Sequence, residues 1–76
     1  METVIDILNE LQPGVDFESC TTLIDDHILG SLTIIALVGE LEDEFDISIP
    51  AVEIVPANFN SAAALWAMVQ RLMDED

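Results

Sequence analysis

The chain has almost no positive charge. Of 76 residues one is basic, Arg71, while sixteen are acidic, for a formal net charge of −15. A surface of that sign repels nucleic-acid phosphates and anionic lipid headgroups, which excludes both as partners. It favours basic protein partners and divalent cations, and its self-repulsion works against the compact state. Cysteine is equally scarce. Cys20 stands alone, so no disulfide can form within the chain. No apolar run is long enough to span a bilayer. The start, Met1-Glu2-Thr3-Val4, lacks the basic stretch ahead of an apolar run that marks a signal peptide. These absences make a cytoplasmic location the expectation; a monomer is expected as well.

Apolar residues, by contrast, make up 51% of the chain, enough to fold despite the charge. Seventy-six residues amount to one small domain, 1–76. A core of that size rarely supplies more than ~3–5 kcal/mol of net stability. It leaves no room for a deep substrate cleft with its own catalytic apparatus, so no enzyme activity is expected.

The periodicity is helical. Val4, Leu8 and Leu11 share a face, with Ile5 and Ile7 beside it, which predicts a helix from Glu2 to Gln12 that Pro13-Gly14 stops. No clean period runs from Pro13 to Gly30, where Phe17, Leu23, Ile28 and Leu29 are apolar anchors in a long first loop. Ile34, Leu37, Val38, Leu41 and Phe45 then mark the core stripe of a helix from Ser31 to Phe45. Ser31, Ile35 and Gly39 lie on another face of it. Ile47-Ser48-Ile49 alternates like a strand but has no second strand to pair with, and reads as extended loop. Pro56 suits the first position of a short helical turn to Phe59. Ser61 caps a last helix through Met73, with Ala62, Leu65, Trp66, Val69 and Leu72 inward and Asp74-Glu75-Asp76 as a solvated tail. The prediction is an all-α, small four-helix bundle: three main helices, one short helix and a long first loop.

Two features exceed what folding needs. Ser31 heads the central helix, where a serine is ordinarily an N-cap. No Glu or Gln follows at Ile34 to complete a capping box, and the exposed apolar pair Leu32 and Ile35 flanks it. A helix N-terminus also favours a phosphate group. Further along, Glu42, Asp43 and Glu44 crowd the helix C-terminus, where the dipole disfavours negative charge, and Glu40 repels Asp43 at i, i+3 and Glu44 at i, i+4. That placement points to partner or cation binding. Asp25-Asp26-His27 reads as exposed loop, and the spacing of a calcium loop is absent. Trp66 and the methionines read as core or core-edge residues. Gly39 is either tolerated drift or a gap for an approaching partner.

Together these residues resemble an acyl carrier protein over nearly the whole chain. The strings that carry the resemblance are Pro13-Gly14, Val15-Asp16-Phe17, Leu23-Ile24-Asp25-Asp26-His27-Ile28-Leu29, Ser31-Leu32 and, most specifically, Leu41-Glu42-Asp43-Glu44-Phe45-Asp46-Ile47-Ser48-Ile49-Pro50. The resemblance implies a 4'-phosphopantetheine arm joined covalently to Ser31 and an acyl group riding on it as a thioester, with no catalytic residue in the chain. It implies a phosphopantetheinyl transferase and acyl- or aminoacyl-transferring and synthase enzymes as partners. Their basic docking surfaces would meet Leu32, Ile35, Glu40, Asp43 and Glu44. Fatty acid or related acyl biosynthesis is the setting it implies first. The departures are Gly30, where the family has aspartate, and the uncharged Thr33 and Ala36, where fatty-acid carriers place acids. In these, and in Pro56-Ala57-Asn58-Phe59, the chain is similar to dedicated carriers such as the D-alanyl type. From another class, an unmodified acidic adaptor binding a basic protein is the alternative.

Overall fold

A computed structural model of the chain describes residues 2–75, which form four α-helices and no strand. Helix α1 spans Glu2–Leu11, α2 Ser31–Phe45, α3 Pro56–Phe59 and α4 Ala62–Glu75, with a 3₁₀ turn at Ala51–Glu53 ahead of α3. The predicted architecture and the short helix at Pro56 are both present. Helix α1 ends one residue before the expected Gln12, and Gly14 follows at φ 92, a conformation glycine adopts without penalty. Helix α4 runs past the expected Met73, so Asp74 and Glu75 are helical rather than tail, while Asp76 lies outside the described residues. Its cap is as expected: the Ala64 N–H donates to Ser61 Oγ at 3.0 Å. The 3₁₀ turn was not anticipated, because three residues offer no period to detect.

The core collects the predicted stripes. Val4, Ile7 and Leu8 of α1 meet Leu37 and Leu41 of α2 and Ala62, Leu65, Met68, Val69 and Leu72 of α4, with Phe59 of α3 beneath. Helix α1 packs on α2 and α4, and α4 also packs on α2 and α3. Ile34, Val38 and Phe45 complete the α2 stripe from its half-buried edges, where the Phe45 ring lies 5.7 Å from that of Trp66 at a 52° tilt. The loop contributes Phe17, Leu23 and Leu29 to the same core, so it is pinned by its own side chains. Truncating a fully buried leucine such as Leu41 or Leu65 to alanine costs about 2–5 kcal/mol, comparable to the entire stability of so small a core. Of the methionines read as core or core-edge, Met68 is buried as expected, Met73 departs from expectation in being exposed, and Met1 lies outside the described residues. No described helix is long and apolar enough to cross a membrane.

The end of α2 explains the strand-like segment. Asp46 adopts the left-handed region at φ 52, and its N–H donates to the Glu42 carbonyl, ending the helix. Ile47 and Ile49 then turn inward and Ser48 outward, so the alternation is real without a sheet. The Ile49 N–H, lacking a ladder partner, donates to Glu42 Oε2 at 2.9 Å. Glu42 is therefore half-buried and structural, a correction to its reading as one of several surface acids.

Candidate functional site

Ser31 is the first residue of α2 and is exposed. The N-cap is Gly30, in extended backbone at φ −81 and ψ 169, and no side chain caps the helix. This corrects the reading of Ser31 as the cap itself. A helix leaves its first N–H groups without intrahelical partners. With glycine at the cap, those of Ser31, Leu32 and Thr33 meet no capping side chain. The helix therefore presents a serine hydroxyl beside backbone donors at its positive end, which suits an anionic phosphodiester.

Next to the serine the surface is apolar. Leu32 is 83% exposed and Ile35 68%, and at i, i+3 the two large aliphatic side chains are neighbours on the helix surface, forming a small apolar patch. Leu32, Ala36, Gly39 and Asp43, at i, i+4, i+7 and i+11, run along one exposed line of α2. Ile35 lies to one side of that line, and Glu40 and Glu44 lie to the other. All three acids are exposed, Glu40 being about 13 Å along the axis from Ser31. Leu32 and Ile35 thus cluster with the serine, whereas Glu40, Asp43 and Glu44 form a separate zone at the far half of the helix. A methyl group at Gly39 would meet open space, so nothing in the packing requires glycine there. Among the described residues, no group of three or more His, Cys, Asp or Glu is placed to hold a metal ion.

A small apolar cavity of about 70 Å³ opens beside the first turn of α2, lined by Ile24, Ile34, Ile54, Val55, Pro56 and Phe59. Its outer wall is the segment between the 3₁₀ turn and α3. That segment is held by a fork: Arg71 Nη1 and Nη2 donate to Glu53 Oε2 and Oε1 at 3.0 and 2.7 Å. Asn58 Nδ2 adds bonds to the Glu53 carbonyl and Oε1. Hydrogen bonds from Arg71 hold the Glu53 carboxyl below its ordinary value, against a partial desolvation that pushes it up; the Arg71 charge and the Asn58 bond also lower it.

The acidic loop triplet shapes the backbone ahead of the serine. Asp26 Oδ2 accepts from Thr22 Oγ1 at 2.6 Å, Asp25 faces Asn60, and His27 takes a positive φ of 57. Cys20 is a half-buried free thiol 3.9 Å from Thr22 Oγ1. Sequence reasoning singled out neither Glu53 nor Asn60, since each acts through partners distant along the chain.

No protein-family model matches the chain. Curated relatives do, over nearly full length. The D-alanyl carrier protein of Lactococcus lactis subsp. cremoris (strain MG1363) is 34% identical over 77 residues, covering 99% of this chain and 98% of the relative. The D-alanyl carrier proteins of strain SK11 of that subspecies and of Lactococcus lactis subsp. lactis (strain IL1403) match with the same identity and coverage. Likeness of that extent, across all four helices and the long loop, means that the chain belongs to the phosphopantetheine-type carrier protein family that includes the D-alanyl carrier proteins.

Proposed function

We propose that this carrier holds a small aminoacyl group of the D-alanyl type on a 4'-phosphopantetheine arm attached to Ser31. The observation that carries the reading is the exposed serine at the uncapped head of α2, in a chain that aligns end to end with D-alanyl carrier proteins. When bound, the arm supplies a thiol that holds the cargo as a thioester. The residues of this chain do the rest. Ser31 offers the attachment oxygen, and the first-turn amides receive the phosphate charge. Leu32 and Ile35 give a docking enzyme an apolar foothold. Glu40, Asp43 and Glu44 steer basic surfaces of a phosphopantetheinyl transferase and of aminoacyl-transferring enzymes toward the helix. The protein works as a presented substrate and not as an enzyme, and a flexible arm raises the local concentration of cargo at each partner.

Two observations favour small cargo over the long acyl chains of fatty acid biosynthesis. The helix head is uncharged at Thr33 and Ala36. The cavity beside it, at about 70 Å³, is under half the ~150 Å³ of a dry cavity that admits benzene. Intact mass after incubation with coenzyme A and a broad-specificity transferase tests the attachment. Wild type should gain the mass of one arm, and Ser31→Ala should gain none while keeping its helical circular dichroism. A side chain at the first helical position that caps nothing is cheap to lose. Modification of Ser31→Ala would refute the site. An unmodified wild type would favour the acidic adaptor.

A further inference from the structure

Asn60 lies between α3 and α4, yet it organises the loop that leads into Ser31. Its backbone carbonyl accepts the Leu23 N–H at 2.9 Å. Its side-chain Oδ1 accepts the N–H groups of Ile24 at 2.9 Å and Asp25 at 3.1 Å. Its Nδ2 donates to Asp25 Oδ2 at 3.3 Å, and its own N–H donates to the Pro56 carbonyl at 2.9 Å, closing α3. One residue thereby satisfies three successive loop amides that have no helix or sheet to partner them. The chain of bonds continues toward the serine. Asp26 N–H donates to the Thr22 carbonyl, His27 N–H to that of Ile24, and Leu29 N–H back to that of Leu23 at 3.0 Å. Gly30 and Ser31 follow at once.

The amide suits this place for a chemical reason. It offers an acceptor to two N–H groups and a donor to a carboxylate, whereas aspartate offers acceptors alone and an aliphatic side chain offers neither. Its neighbours reinforce the point: Ile24 and Phe59, which the clamp ties together, are two walls of the cavity beside α2.

We propose that Asn60 is a positioning residue for the modification of Ser31. It holds residues 23–29 in the shape that an attaching enzyme meets beside the serine. The inference rests on the reading of Ser31 as the attachment site. The test is steady-state transfer from coenzyme A by a broad-specificity phosphopantetheinyl transferase on the full chain, read as kcat and KM for the carrier. Asn60→Ala should raise KM about five- to tenfold with kcat little changed, and should speed amide exchange at Ile24 and Asp25. Asn60→Asp sets two carboxylates face to face and should show the same defect. Adding Asp25→Asn to it restores a donor opposite an acceptor and should return KM close to wild type. Ile7→Val, which trims the core of α1 far along the chain from the clamp, should lower stability without moving KM. A KM for Asn60→Ala within twofold of wild type, with wild type still modified, overturns this proposal and leaves the Ser31 reading standing. An unmodified wild type overturns both. Should Asn60→Ala fail to fold, the Asn60→Asp pair decides, and absence of rescue by Asp25→Asn overturns the proposal.

Discussion

At Gly30 the backbone has no need of glycine. Its φ of −81 is open to any residue, and a Cβ there would meet nothing within 4 Å. An aspartate fits the N-cap, where its carboxylate accepts a first-turn N–H and stabilises the helix by a few tenths of a kcal/mol over glycine. It also adds negative charge beside Ser31 for a basic transferase. Gly30→Asp should therefore speed transfer of the arm and leave the melting temperature equal or slightly higher. A rate that stays level or falls would mean that the new carboxylate competes with the phosphate for the same amides. The exposure of Leu32 and Ile35 was legible in the sequence, because helical spacing sets them apart from the core stripe, whereas that of Glu40, Asp43 and Glu44 was legible from their charge, Glu44 lying seven residues from the buried Leu37 at the edge of the stripe. Glu42 and Asn60 were not. Glu42 looks like its acidic neighbours until the chain folds back and brings the Ile49 N–H to it. The side-chain partners of Asn60 stand 35 and 36 positions away, a separation that no local pattern reveals.

The three long helices were readable because each carries an apolar stripe, and the short α3 because Pro56 marks a first helical position. Their ends shifted by a residue or two, where capping and fraying compete. The 3₁₀ turn is different in kind: it owes its place to the fork between Glu53 and Arg71, which joins it to α4 across 18 positions. The fork makes a pH prediction. The Glu53 carboxyl titrates below its ordinary value in the folded chain, so the fork's contribution is fully present above the unfolded carboxylate value, about 4.3, and is lost as pH falls through the lower folded value. Arg71→Gln removes it. Wild type should melt higher than Arg71→Gln at pH 6, and the gap should close on acidification toward pH 3. An equal gap at both pH values would assign the effect of Arg71 to its aliphatic stem packing instead.

For the molecule as a whole, charge sets the terms. Sixteen acids face one arginine and one histidine, and Arg71 is already engaged with Glu53. Screening should relieve the remaining repulsion, so the melting temperature at neutral pH should rise with sodium chloride. Magnesium at matched ionic strength should raise it further if the folded surface binds the ion, by mass action. A melting temperature that falls with salt would show the acids to be favourably paired. The fold also supplies its own optical probe. The chain has one tryptophan and no tyrosine, and Trp66 of α4 rests against Phe45, at the opposite end of α2 from Ser31. Some 20 Å of helix separate emitter and serine. Intrinsic fluorescence therefore follows the docking of α2 on α4 without a label, from a point remote from the chemistry at the helix head.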